Sequence, residues 1–273
     1  MNYDFIRHKM YAFNVWDIET AIAIIDASVE EKQPIFIQIS SKIFYRIHFQ
    51  GFIYVIKKYI TKVKANVIIH LDHSRDINQI VEAIDAGFDS VMYDGSNLNL
   101  QENIINTAKV VNLAKNKNVL VEGEIGQILG VEDDININEE TPFSIQDVEK
   151  FVTSTGINLL AVAVGTSHGH YEKTPKINYE MIYKVSKISK IPFVVHGASG
   201  LSNEILKSLW NISNVKKINI STDVKLAYRE GILTSKRLGL LDEIKFDATK
   251  VKCQIYESIK DLAISKLKVL KEI

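Results

Sequence analysis

The sequence predicts a closed (β/α)8 TIM barrel with an additional C-terminal helix, in one domain covering residues 1–273. Three observations carry this expectation. Short apolar, β-branched runs alternate with helix-period segments, the pattern of parallel strands buried on both faces. Eight such runs can be counted, near 11–15, 34–39, 67–72, 88–93, 118–124, 158–165, 191–196 and 215–220. No Pro/Gly/Ser-rich linker or low-complexity tract divides the 273 residues, a length usual for one large barrel.

Taken in order, Y-A-F-N-V gives the first strand, and Ile18, Ile22, Ile25 and Val29 mark one face of a helix over 17–31. The second strand leads into S-S-K-I-F-Y-R-I-H-F-Q-G-F-I-Y-V-I, an aromatic-rich segment read as a helix over 40–62. After the third strand, Ile77, Ile80, Val81 and Ile84 define a helix over 76–86, with Asp76 as N-cap and Gly87 as the stop. Ile104, Ala108, Val111 and Ala114 define another over 99–117. Residues 126–146 follow the fifth strand without a clear period, and carry Glu132, Asp133, Asp134, Glu139 and Glu140. A connection this long is a functional lid or a solvated acidic loop. A final helix near 249–271, with Ile255, Ile259, Leu262, Leu267 and Leu270 on one face, packs under the barrel or against a second subunit.

Composition narrows the function. Lys+Arg and Asp+Glu are 33 each, so the formal charge is zero, which argues against nucleic acid or an anionic membrane as partner. A 46% hydrophobic content supports a large core. The single cysteine, Cys253, excludes an intrachain disulfide and a cysteine-based metal knuckle, and reads as a half-buried helix thiol. M-N-Y-D-F-I-R-H-K-M shows no apolar signal stretch and no long apolar run follows, so a cytoplasmic protein is the expectation.

The chemistry sits at strand ends. V-I-I-H-L-D-H, L-A-V-A-V-G-T-S-H-G and I-P-F-V-V-H-G-A-S-G each bring histidine to the C-terminal end of a buried run. In a parallel barrel those ends meet at one mouth, so three imidazoles there make a three-ligand metal site with an open position. Spacing does not choose between His70 and His73, or between His168 and His170; His8 and His48 lie outside the pattern. Carboxylates gather at the same ends: Asp72 beside His73, Asp94 in S-V-M-Y-D-G-S, and Glu124 in L-V-E-G-E-I-G. They are suited to be alternate ligands, bases or partners that orient a ligating histidine. Gly169, the turn G-A-S-G (Gly197 to Gly200) and I-N-I-S-T-D (Ile218 to Asp223) precede helices or tight turns, where backbone N–H groups cradle anions. A phosphorylated substrate follows. P-loop, dinucleotide, H-E-x-x-H and G-x-S-x-G signatures are missing. No lysine sits inside or at the end of the sixth run, N-L-L-A-V-A-V-G, or the seventh, which argues against imine chemistry.

These motifs, in this order, resemble the class II metal-dependent ketose-bisphosphate aldolases, and most the tagatose-bisphosphate and short fructose-bisphosphate branch. The likeness runs from A-F-N-V (Ala12 to Val15) through L-D-H, S-V-M-x-D-x-S, E-G-E-I-G, G-T-S-H-G-x-Y, H-G-x-S-G and N-I-x-T to D-V-K-L-A-Y. The resemblance implies that His73, His168 and His196 hold a catalytic zinc ion, with Asp94 and Glu124 near alternate metal positions and room for a second cation. It implies Asp72 as proton donor and Glu132 as mobile base. It assigns Gly169, Gly197, Ala198, Ser199, Asn219, Ile220, Ser221 and Thr222 to a dihydroxyacetone-phosphate site, with Asn14 touching substrate from the first strand. The implied reaction is reversible cleavage of fructose or tagatose 1,6-bisphosphate to dihydroxyacetone phosphate and glyceraldehyde 3-phosphate, in a homodimer or homotetramer. Departures are Glu172 where lysine is frequent, Ala198 where glycine is common, and Ser221 at a variable position. Another phosphorylated ketose, or the role of a non-catalytic companion subunit, are the alternatives. A barrel metallohydrolase is disfavoured, because Y-A-F-N-V lacks the paired histidines such a first strand carries.

Overall fold

In the computed structural model, residues 8–132, 135–137, 142–171, 173–242, 244 and 246–273 are described. Eight parallel strands close a barrel. They are β1 (Met10–Asn14), β2 (Ile35–Ser40), β3 (Val67–Ser74), β4 (Ser90–Tyr93), β5 (Leu120–Ile125), β8 (Leu159–Val162), β10 (Phe193–Val195) and β11 (Val215–Ile220), paired in that order, with β11 returning to β1. A small second sheet is formed by β6 (Leu129–Glu132), β7 (Ile135–Ile137) and β9 (Ser167–His168).

Helices α1 (Ile18–Glu31), α2 (Phe49–Val63), α3 (Ile77–Ala86), α4 (Leu100–Lys115), α5 (Ile145–Thr155), α6 (Tyr179–Ile188), α7 (Asn203–Trp210) and α8 (Thr222–Arg237) link successive barrel strands or follow the last. Local chemistry fixes their ends. Asp76 accepts a hydrogen bond from the Asn78 amide at 2.8 Å, and Gly87 closes α3 at φ 91°. Ser144 and Asp147 form a reciprocal capping box at α5. The long C-terminal helix α9 (Ala248–Lys271) lies against α8, α1 and α7, burying Ile259, Ala263, Leu267 and Leu270. No described helix is long and apolar enough to cross a membrane.

Three sequence expectations are corrected. Residues 41–48 are a run of turns, and the helix predicted from residue 40 begins at Phe49. Its aromatic residues account for the break: Phe44 stacks on Phe49 with ring centroids 3.9 Å apart and also meets Phe88, so the segment folds over its own apolar cluster before the helix starts. The connection 126–146 carries an antiparallel hairpin, β6–β7, and β6 pairs in parallel with β9, setting Gly130 opposite His168. Short three- and four-residue strands are too brief to show a period. Cys253 is exposed on α9, not half-buried.

Inside the barrel, side chains two residues apart point to the axis. A lower apolar layer contains Met10, Ala12, Phe36, Ile68, Leu159, Ala161 and Val194. The next inward positions are polar: His70, Glu122 and Lys217, all fully buried. Above them lie Asn14, Gln38, Asp72, Glu124, His196 and Asn219 at the C-terminal ends of their strands. The outward positions, such as Tyr11, Phe13, Ile37, Leu71 and Val121, join the larger core between barrel and helices.

Candidate metal and substrate site at the barrel mouth

The C-terminal end of β3, the short strand β9 and the turn after β10 bring His73, His168 and His196 together. One ligand atom from each lies within 4.8 Å of the others. The rings are steeply inclined, with centroids 4.7 Å apart for His73–His196 and 5.3 Å for His73–His168. Nε2 of His73 faces Nδ1 of His196 at 2.8 Å. A second group able to hold a cation shares His73 with Asp94 and Glu124. Nitrogen and carboxylate donors converging in this way fit a zinc ion.

Backbone geometry decides which histidines arrive. Strict alternation along β3 would send Asp72 and His73 to opposite faces. His73 instead adopts a left-handed conformation, φ 48°, where the β3–β4 register also slips. A non-glycine residue in that region carries strain and is found preferentially at functional sites. The twist turns both side chains into the mouth. His70 stays one rung below, bonded through Nδ1 to Ser90 Oγ at 2.8 Å. His170 is exposed. The geometry therefore selects His73 and His168 where spacing left two choices each.

Asp72 is held by hydrogen bonds at one oxygen, and its other oxygen stands 3.9 Å from Nε2 of His70. Its Oδ2 accepts from Asn14 Nδ2 at 2.8 Å and from Gln38 Nε2 at 3.1 Å, while Oδ1 is buried without a hydrogen-bond partner. A buried carboxylate oxygen left bare is costly unless a ligand completes it. Asp94 accepts from Arg75 Nε and Nη2 at 3.1 and 2.9 Å and from Ser96 Oγ at 2.6 Å, with His73 Nδ1 3.5 Å away. Burial alone would raise its pKa; these neighbours outweigh burial and hold it well below the usual carboxylate range.

On one side of the histidines lies a narrow cleft lined by Asn14, His168, Gly169, Gly197, Ser199, Asn219, Ser221 and Thr222. Gly197 has φ 65°, and a Cβ there would stand 2.5 Å from the Ser167 carbonyl, so only glycine fits this turn. Tyr171 ties the two turns, accepting from the Ser167 amide and donating to the Gly197 carbonyl. Ser199 Oγ accepts from the amides of Ser221 and Asp223 at the start of α8. The N-cap residue of α8, Ser221, makes no side-chain cap of its own; Ser199 takes that part, and the positive end of the helix lies beside the cleft. Ala198 and Ile220 are fully buried in the core and do not line the cleft, so only their backbone is placed to contribute. Glu132 ends strand β6, but its side chain lies outside what is described, as do Asp133, Asp134, Glu139, Glu140 and Glu172.

Sequence reasoning missed the rung beneath the mouth. Glu122 Oε1 stands 2.8 Å from His196 Nε2, and Lys217 Nζ donates to Glu122 Oε2 at 2.9 Å, all fully buried. Counting back by two from Glu124 and from Asn219 reaches these residues, so the strand period itself was the available signal. Burial disfavours the Glu122 anion; the Lys217 ammonium and the bond to His196 overcome this and depress its pKa well below normal.

His70 supplies a pH prediction. Burial first, then the Lys217 charge, lowers its pKa well below 6.5. The unfolded chain therefore binds a proton that the fold rejects, so stability is full above that ordinary value and falls as pH drops below it. Glu122 and Asp94 add a further loss lower down, because their stabilisation is complete above ordinary carboxylate values and disappears as pH falls towards their depressed ones. Urea midpoints of metal-free protein should drop from pH 7.5 to pH 5.5, and less steeply in His70→Asn; an equal slope in both would remove His70 from the account.

A parallel barrel with imidazoles, carboxylates and an anion-suited cleft at its C-terminal mouth defines an enzyme of the metal-site barrel class. The sequence profile described as "Fructose-bisphosphate aldolase class-II" matches residues 7–273. The chain belongs to this class II aldolase family and is a carbon–carbon lyase. A sulfofructosephosphate aldolase from Alkalicoccus urumqiensis is 32% identical over 260 residues, covering 90% of each chain. Among solved structures, the YdjI aldolase from Escherichia coli K12 superposes with a TM-score of 0.82 at 27% identity, covering 97% of this chain and 92% of that one. A fructose-bisphosphate aldolase from Campylobacter jejuni shares the fold, with a TM-score of 0.81 at 20% identity over 99% of this chain and 93% of its own.

Proposed function

We propose that this aldolase cleaves a phosphorylated ketose reversibly to dihydroxyacetone phosphate and an aldehyde, with fructose or tagatose 1,6-bisphosphate as substrate and zinc as cofactor. One observation carries the reading: three convergent imidazoles stand beside a buried carboxylate, Asp72, that has an oxygen to spare. His73, His168 and His196 would hold the ion, with Asp94 and Glu124 beside it. A bound divalent cation supplies Lewis acidity at the ketose oxygens and acidifies the neighbouring C–H.

The chain's own residues do the rest. Gly169, Gly197, Ser199, Asn219, Ser221 and Thr222, with backbone from Ala198 and Ile220, hold the phosphate and so fix the reacting carbons. Asn14 reaches both this cleft and Asp72, linking the substrate's position to the acid. Glu132 removes the C–H proton of dihydroxyacetone phosphate in the condensation direction. Asp72 delivers a proton from Oδ1 to the oxygen formed as the carbon–carbon bond closes, and cleavage reverses these transfers. The pairing of β6 with β9 sets Gly130, two residues before Glu132 in the chain, opposite His168.

The 32%-identical relative favours a second substrate, a ketose phosphate with a sulfonate at the far end. Purified enzyme should be assayed with fructose bisphosphate, tagatose bisphosphate and sulfofructose phosphate, with and without chelator. Chelator-sensitive release of dihydroxyacetone phosphate is expected; a panel that yields none would sink the proposal. Glu132→Ala is expected to slow solvent-proton exchange into dihydroxyacetone phosphate about 10²-fold or more. An unchanged exchange rate would mean that another group is the base.

A further inference from the structure

The Glu122–Lys217 pair lies below the mouth, and no role in the reaction described above falls to it. A buried lysine and a buried glutamate are costly to desolvate, and a pair like this is often no more stable than apolar residues of the same volume. Here the carboxylate is shared: one oxygen takes Lys217 Nζ, the other meets His196 Nε2. His196 presents its opposite nitrogen, Nδ1, to His73 Nε2. An imidazole has one proton in its neutral form, so whatever accepts at Nε2 determines whether Nδ1 is bare.

We propose that Glu122 and Lys217 are positioning residues that fix His196 as the Nε2–H tautomer, leaving Nδ1 bare and aimed at the metal position. Lys217 is the half of the device that makes it directional. It carries donors only, so it claims an acceptor oxygen and leaves the other for His196. The inference rests on the histidine metal site proposed above. It concerns this chain's residues and can be read without turnover.

Consider Glu122→Gln. Lys217 would claim the amide oxygen, so the NH2 group would face Nε2. The ring proton would then move to Nδ1 and block the nitrogen meant for the ion. Lys217→Met removes the donor that holds one Glu122 oxygen, so the carboxylate can turn toward His70 Nε2, 3.6 Å away, and release Nε2 of His196. The test uses full-length protein stripped of metal. Nitrogen-15 NMR of its histidines should report His196 as Nε2–H in wild type and as Nδ1–H in Glu122→Gln. Competition against a chromophoric chelator should show zinc bound about 10–100-fold more weakly in both variants, with circular dichroism spectra like wild type.

Wild-type protein with its proton on Nδ1 would overturn the proposal even if no variant folds. So would a Glu122→Gln protein that binds zinc as tightly as wild type. Wild type that binds no zinc stoichiometrically would instead fail the metal-site reading, and this inference with it. Tight wild-type binding that is unchanged in both variants fails this inference alone.

Discussion

Asp72→Ala should lose cleavage of ketose phosphates by about 10²–10⁴-fold in kcat while keeping its zinc. Asp72 is outside both groups of potential ligands. Its Oδ2 is pinned by Asn14 and Gln38, and its Oδ1 is the only oxygen left to meet substrate. Losing the carboxylate removes the group proposed to protonate the alkoxide and leaves the imidazoles in place. Metal content by atomic absorption and solvent exchange into dihydroxyacetone phosphate should both survive, because neither needs the alkoxide protonated. Loss of zinc together with activity would show that Asp72 serves the metal and not the proton.

The second large effect is His196→Ala. Zinc held by three protein nitrogens would be left with two, below what a catalytic site of this kind uses. The variant should emerge from gel filtration without zinc, and its cleavage should fall to background. Deleting the ring also opens a buried space above Glu122 and should cost about 2–4 kcal/mol of stability, as other buried truncations do. Glu122 keeps its bond to Lys217, so the barrel interior is not left with a lone charge. Full turnover by metal-stripped His196→Ala would refute the assignment of this histidine.

Contrasting these variants separates three functions on two adjacent rungs, with Asp72 and His196 on the upper and Glu122 on the lower. Asp72 tests proton transfer, His196 tests the ion, and Glu122 tests what prepares His196 for the ion. A common loss in all three, with zinc retained throughout, would point to a substrate-binding defect shared by the mouth.

Much of this architecture was legible in the chain. Strand positions followed from buried apolar runs, because a parallel barrel strand is covered on both faces and must be apolar along most of its length. Asp76 and Gly87 marked a helix at both ends because their side-chain and backbone properties act locally. The segment after β2 was less legible: no proline or glycine separates its aromatic residues from the start of α2, but the contacts of Phe44 with Phe49 and Phe88 that make 41–48 a series of turns are made in three dimensions. The same holds for β6, which pairs with β7 on one side and on the other with β9, a segment far along the chain.

The sequence by itself determined the barrel, the residue types at its mouth and the turns suited to an anion, since period, capping and glycine geometry are short-range properties. Tertiary structure alone decided which histidines meet. The left-handed turn at His73 rotates it into the mouth, and the barrel interior retains His70. It also joined Glu122 to His196 and Lys217 across 74 and 95 residues of chain. Such contacts are chosen by barrel closure, which sets strands from distant positions side by side, and no local pattern encodes that distance.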